Sequence, residues 1–200
     1  MSRPPNPQTR EKLLAAAELL ILKNGYAATS VDGICNLAGV TKGGFFHYFE
    51  SKNQIAVEAA RQFYDNVKQT LAGAPFQSLR DPVRRVLGYL DFLIDFAQTP
   101  EGRQGCLLGN LAQELAASND EIRDVCRWCF ADWTKSLRAD LADAKARRSA
   151  RARWDPHSMA DHIVATFEGA ILLAKANRDV GVFVSSLKHL KQYLKLLLDS

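Results

Sequence analysis

The sequence predicts an all-α chain of nine helices in two domains, on three observations. Apolar residues recur at spacings of three and four through each long segment, the period of one face of a helix. Capping residues, prolines and glycines punctuate the places where these segments begin and end. Alternating apolar and polar runs, which mark half-buried strands, are missing, as are repeats and low-complexity tracts.

In chain order, residues 1–5 read as a frayed arm. Asn6-Pro7 is a cap and first-turn pair. The first helix runs to about Asn24, with Leu13, Leu14, Ala17, Leu20 and Ile21 on one face, and Gly25 ends it. Thr29 or Ser30 caps the second, with Asp32 as reciprocal partner and Ile34, Leu37 and Ala38 as its apolar face. Gly39 breaks this helix and Val40 plugs the turn. Thr41 caps the third, which opens Lys42-Gly43-Gly44 and closes Phe45-Phe46-His47-Tyr48-Phe49. Ser51 caps the fourth in a Ser-x-x-Gln box with Gln54. That helix, about 51–71, carries Ile55, Ala59, Phe63 and Val67 inward and connects the two domains.

Ala72-Gly73-Ala74-Pro75 is the first clear break inside the chain. Asp81-Pro82 caps a fifth helix, in which Val83, Val86, Leu87, Leu90, Leu93, Ile94 and Ala97 form an apolar stripe. Thr99-Pro100 and Gly102 end it. A short sixth helix holds Leu107, Leu108, Leu111 and Leu115. Ser118 and Glu121 read as a capping box for the seventh, which buries Ile122, Val125, Cys126, Cys129, Phe130, Trp133, Leu137 and Leu141. The segment Lys145 to Arg153 is basic with no acid; it reads as a solvated helix end whose cations suit the dipole, or as a second nucleic-acid contact. Asp155-Pro156 caps the eighth helix, to about Asp179. Gly181 separates it from the ninth, with Phe183, Leu187, Leu190, Leu194, Leu197 and Leu198.

Two hundred residues hold a small domain plus a medium one, and a hydrophobic fraction of 47% supports a real core. The net charge of +4 permits nucleic-acid binding without arguing for it: residues 1–60 hold six Lys or Arg against five Asp or Glu. No apolar run approaches the ~18 residues of a membrane span, and the N-terminus lacks the apolar core of a signal peptide. The chain is therefore expected in the cytoplasm, with Cys35, Cys106, Cys126 and Cys129 as thiols. No membrane partner, metal or cofactor is expected. His47, His157, His162 and His189 are scattered, and no nucleophile–base arrangement, zinc motif or phosphate loop argues for an enzyme.

Two adjacent glycines in a first helical turn cost about 1 kcal/mol each against alanine. A chain accepts that where backbone must come close to something. A helix N-terminus with a lysine and no bulky side chains suits a phosphate backbone and base edges. The run Gly39-Val40-Thr41-Lys42-Gly43-Gly44-Phe45-Phe46-His47-Tyr48-Phe49, then Ser51-Lys52, resembles the helix-turn-helix signature of the TetR family of bacterial repressors. The resemblance implies a homodimer binding double-stranded operator DNA. Residues 1–52 would be the DNA-binding domain, and 72–200 the ligand-binding and dimerisation domain. Lys42, Gly43, Gly44, Phe45 and His47, on the helix that Thr41 opens, would face the groove. Thr29, Ser30, Tyr48 and Lys52 would hold phosphates. Phe49 and Phe46 read as core. Two positions depart from the family pattern: Gly44, where many members carry Ser, Thr or Ala, and Phe46, where many carry Tyr. These departures leave an alternative, an all-helical small-molecule or partner-binding module without DNA binding.

For the sensing end, Gly105-Cys106-Leu107 and the segment Glu168 to Lys175 resemble a TetR subgroup that responds to electrophiles, oxidants or small unsaturated acids. There a cysteine at this position can be the sensor; it can equally pack the helix. Cys106 sits at a helix start, which favours thiolate. Lys175 would meet a thiolate or a carboxylate inducer, or reach solvent. Asn110, Gln113, Trp128, Trp133 and Phe167, with Phe92 and Phe96, are candidates for the pocket, though aromatics at helical spacing also read as plain core. Cys126 and Cys129, on an apolar stripe, read as buried thiols. Ile163, Phe167 and Ile171 of the eighth helix and Phe183, Leu187, Leu190, Leu194 and Leu198 of the ninth are expected to form a four-helix dimer interface.

Overall fold

The computed structural model describes residues 6–148 and 151–199; the arm 1–5, and Ser149 and Ala150 of the basic segment, lie outside the described residues. Among the described residues the regular structure is all helical. Four helices make up the first third: α1 (Pro7–Asn24), α2 (Val31–Ala38), α3 (Lys42–Tyr48) and α4 (Lys52–Ala72). A 3₁₀ turn at Pro75–Ser78 precedes α5 (Pro82–Phe96), α6 (Pro100–Gln104) and α7 (Leu107–Leu115). The chain ends in α8 (Asp120–Arg148), α9 (Pro156–Asn177) and α10 (Val180–Leu198). The nine expected helices are α1–α5 and α7–α10. The five-residue α6 is an addition: Thr99 Oγ1 accepts from the Gly102 amide at 3.0 Å, so the residues expected only to stop α5 also start a turn.

The caps follow the local chemistry of short polar side chains. Asn6, Ser30, Thr41, Asp81 and Asp155 each accept a backbone N–H from the first turn that follows. Of the two caps expected for α2, Ser30 is the one used. Two details differ from expectation. Asn119 Oδ1 takes the Ile122 amide at 3.0 Å, while Glu121 bonds Asn53, so Ser118–Glu121 is not the cap of α8. The break between α9 and α10 is made by Arg178, at φ 52°, and Gly181 lies inside the first turn of α10 with its amide on Asp179.

The chain forms two compact units, Met1–Lys68 with Cys106–Cys129, and Gln69–Gly105 with Phe130–Ser200. Within the first of these units α7 packs on α1. In the first unit Leu13, Leu14, Ala17 and Ile21 of α1 meet a core that includes Ile34, Phe45, Phe49, Ile55, Leu108, Leu111 and Ile122, all buried. In the second, α10 packs against α9 and α5. Its core carries a chain of rings: Phe76 meets Tyr89 at 5.5 Å, Trp133 Nε1 donates to the Tyr89 hydroxyl at 2.8 Å, and Phe167 lies 5.2 Å from both Trp133 and Phe183. Burial holds the Tyr89 hydroxyl well above the ordinary phenol range. Arg85 closes the edge of this unit on Asp140 at 2.7 Å. No helix among the described residues is long and apolar enough to cross a membrane.

Candidate functional site

The helix-turn-helix is built by α2, the Gly39 turn and α3. Gly39 adopts φ 66° at the end of α2, which turns the chain into Thr41. Thr41 Oγ1 accepts the Gly44 amide at 3.1 Å. A Cβ on Gly44 would meet Val40 Cγ1 at 2.8 Å, so the plug of the turn occupies the room that Ser, Thr or Ala would need. A Cβ on Gly43 would meet nothing, which leaves that face of α3 open.

Among the residues expected at the groove, Thr41, Lys42, Gly43 and His47 are exposed and Gly44 is half-buried. Lys42 pairs with Asp32 at 3.0 Å on the same surface. Phe45 is the exception. It is 0% exposed and packs on Phe49 at 5.7 Å, while Phe46, expected in the core, is 51% exposed. Successive residues of a helix point about 100° apart, so only one of two adjacent phenylalanines in this short helix faces inward.

Among the phosphate candidates, Ser30 is exposed at the start of α2. Thr29 is buried, and its hydroxyl donates to the Gly25 carbonyl at 2.8 Å, so it is spent on the turn. The Tyr48 hydroxyl accepts from the Asn6 amide at 2.7 Å and donates to the Asn6 carbonyl at 3.2 Å, tying α3 to the start of α1. Lys52 Nζ donates to the Tyr26 carbonyl at 3.1 Å and sits 4.1 Å from the centroid of the Tyr26 ring.

The sensing candidates divide between the units. Cys106, Asn110, Gln113 and Trp128 belong to the first, Trp133, Phe167 and Lys175 to the second. Cys106 is 6% exposed at the N-cap of α7. Cys35 is buried too, and burial first, then the Asp32 charge, pushes its thiol up. Cys126 and Cys129 are buried, the Cys126 thiol pointing at the Leu108 carbonyl at 3.6 Å. Asn110 reaches the Leu22 carbonyl at 3.5 Å and Gln113 is exposed. Trp128 is exposed, edge-on to Tyr64 at 5.9 Å. Trp133 and Phe167 are buried in the ring chain of the second unit and are core rather than pocket wall. Lys175 is exposed and lies against Gly105. It borders a cavity of about 270 Å³ with an apolar floor from Ile171 and Phe183 and a charged rim of Arg103, Lys175, Arg178 and Asp179. Arg103 and Arg178 carry no helical-face pattern, which is why sequence reading passed over them.

The expected dimer stripe requires a correction. Ile163, Phe167, Ile171, Phe183, Leu187, Leu190, Leu194 and Leu198 are all buried within the protomer, where α9, α10 and α5 cover one another. Outward from the same two helices point Leu172, Leu173, Tyr193 and Leu196, between 45% and 65% exposed. Ala165, Ala176 and His162 of α9 and His189 of α10 are also exposed, Gly169 has open space beyond its Cα, and His162 meets Tyr193 at 6.1 Å.

Comparison with known proteins matches both parts of the chain. Residues 13–59 match the family "Bacterial regulatory proteins, tetR family", and residues 82–190 match "Tetracyclin repressor-like, C-terminal domain". The chain is 30% identical over 179 residues to the HTH-type transcriptional repressor DhaR of Mycobacterium sp. (strain GP1), covering 90% of this chain and 87% of that one. It is 26% identical over 195 residues to the HTH-type transcriptional repressor NemR of Escherichia coli (strain K12), covering 97% and 98%. A TetR transcriptional regulator from Chloroflexus aurantiacus superposes with a TM-score of 0.83 at 29% identity, covering 94% of each chain. With family models spanning both its helix-turn-helix and its C-terminal helices, the chain belongs to the tetR family of bacterial regulatory proteins.

Proposed function

We propose that the chain, a DNA-binding transcriptional repressor of the tetR family, holds a palindromic operator as a homodimer and releases it when an electrophile or a small carboxylate acts on its inducer-binding helices. The observation that carries the DNA reading is the α3 surface. Thr41, Lys42, Gly43 and His47 stand exposed on a capped, glycine-opened helix, with Lys52 fixed beside it. Base edges are read from this face, while Ser30 and Lys52 contact phosphates and set register. Tyr48 acts from behind, fixing α3 on α1.

The dimer forms through Leu172, Leu173, Tyr193 and Leu196, with Ala165, Gly169 and Ala176 allowing close approach of α9 to its symmetry mate. Large apolar side chains at this exposure on two adjacent helices support an isologous interface. Two-fold symmetry then places two α3 helices one or more turns of DNA apart.

An inducer acts only through different affinities for the binding and non-binding states. Two features support its class. Cys106, buried like the other three thiols, stands at the N-cap of α7, the end of a helix whose dipole favours an anion. The cavity beside Lys175, with its cationic rim and apolar floor, suits a small carboxylate. The test separates them. N-ethylmaleimide releases wild-type protein from DNA but not Cys106→Ser, if the thiol is the sensor. Acrylate releases Cys106→Ser but not Lys175→Met, if the carboxylate is the inducer. Brief, limiting alkylation followed by mass spectrometry labels Cys106 ahead of Cys35, Cys126 and Cys129; first labelling at any of those three counts against a sensor thiol at Cys106.

A further inference from the structure

The turn that joins α1 to α2 is held by an acid far away in sequence. Glu114 of α7 accepts the Tyr26 amide on Oε1 at 2.9 Å and the Ala27 amide on Oε2 at 3.0 Å, across 88 and 87 residues. Both carboxylate oxygens are thus used on consecutive N–H groups, a charge-assisted pair. The backbone is shaped to admit the carboxylate: Gly25 has φ 83°, and a Cβ there would run into Glu114 Oε1. Any other residue at that position would be strained and would displace the acid.

The peptide that Glu114 grips is the one that holds Lys52. The Tyr26 amide goes to Glu114, its carbonyl takes Lys52 Nζ, and its ring lies under the same ammonium. The Tyr26 carbonyl also takes the Thr29 amide at 3.1 Å, which closes the turn just before the Ser30 cap of α2. A lysine fixed in this way loses less rotamer freedom on meeting a phosphate than one that swings freely.

We propose that Glu114 is a positioning residue for operator binding: by clamping the 25–27 turn it fixes the Lys52 ammonium in place for a phosphate. The proposal rests on reading Lys52 as a phosphate contact. Glu114 lies two turns along the helix that begins after Cys106, about 12 Å at 1.5 Å per residue. A shift of α7 therefore reaches the helix-turn-helix through one carboxylate.

The test is a double-mutant cycle on the full-length chain, with a duplex from directly upstream of its own coding sequence. Affinities are read by fluorescence anisotropy between 50 and 200 mM salt, the range over which phosphate contacts are strongly screened. Lys52→Ala weakens binding and lowers the salt slope by about one for each half-site. Glu114→Gln, which keeps the side chain's size but turns an amide N–H toward a backbone N–H, weakens binding about five- to tenfold. Adding Lys52→Ala to Glu114→Gln then costs less than twofold more, because the second change removes a contact already lost. Gly25→Ala repeats the Glu114→Gln phenotype from the other side of the contact. Circular dichroism melts of each variant confirm that it is folded before its affinity is used. Effects of Glu114→Gln and Lys52→Ala that simply add would overturn the positioning role and leave Glu114 as a structural cap. An unchanged affinity and slope in Lys52→Ala would overturn the phosphate reading on which it rests.

Discussion

Leu173→Glu converts the dimer to a well-folded monomer that no longer retains operator DNA. Leu173 is half-exposed on α9 and makes no part of the protomer core, so its replacement leaves the fold alone. In the dimer proposed above it is buried twice by symmetry. Losing about 2 kcal/mol of apolar burial at each copy raises the dimer dissociation constant roughly a thousandfold, at 1.4 kcal/mol per factor of ten. A carboxylate without a partner adds to that cost. Operator affinity falls with it, because a monomer contacts one half-site where the dimer contacts two. Leu194→Ala is the contrasting change: Leu194 is wholly buried in its own protomer, and the variant loses stability, about 2–5 kcal/mol, with any loss of dimer following from that. Light scattering and thermal melts on both proteins separate the two. A Leu173→Glu protein that stays dimeric at micromolar concentration, with Leu194→Ala becoming a stable monomer, would return the interface to the inner stripe.

The second large effect lies in α3. Phe45→Ala empties the centre of the small N-terminal core, where Phe45 is fully buried and packs on Phe49. Such a change costs about 3–5 kcal/mol, a large part of a domain's 5–15 kcal/mol. The helix-turn-helix then melts before the rest and operator binding is lost. Phe46→Ala, on the exposed face, stays within about 0.5 kcal/mol of the parent and changes operator affinity alone. Hydrogen exchange at α2 and α3 amides distinguishes them. Destabilisation by Phe46→Ala with a silent Phe45→Ala would mean that α3 is turned by nearly a third of a revolution from the orientation described.

These two pairs show where sequence reading reached and where it stopped. The caps at Asn6, Ser30, Thr41, Asp81 and Asp155 were legible because a cap is settled within three or four residues. The helix-turn-helix was legible for the same reason, its turn being fixed by Gly39, Val40 and Thr41. The facing of Phe45 and Phe46 was not, since a seven-residue helix is too short for its periodicity to choose between neighbours. In α9 and α10 the apolar stripe expected to meet a second protomer is buried within its own. A helix with two apolar arcs does not reveal which arc meets its own chain; in the sequence the second arc shows as apolar residues adjacent to the first, Leu172-Leu173 in α9 and Leu196 beside Leu197 in α10. Glu114 left no sign at all. An acid on α7 and a Gly-Tyr turn 88 residues earlier become neighbours only in the folded chain.

Family membership settles the choice between a DNA-binding regulator and a helical carrier, and Gly44 no longer weighs toward the second. Its missing side chain is matched by Val40, which fills that space within the same turn. Phe46, exposed where many members carry Tyr, keeps an apolar ring at the surface of α3 and can meet a thymine methyl or a sugar instead of donating to a phosphate.

Sequence-specific binding of one dimer to its operator follows from the α3 surface and the outer arcs of α9 and α10. The most direct measurement is an anisotropy titration of a labelled duplex from upstream of the chain's own coding sequence against a shuffled duplex of equal length. The predicted result is one dimer per duplex, affinity for the upstream DNA at least about a thousandfold above that for the shuffled DNA, and a steep loss with salt. Equal affinity for the two duplexes, or binding of single protomers with no two-fold stoichiometry, would contradict it.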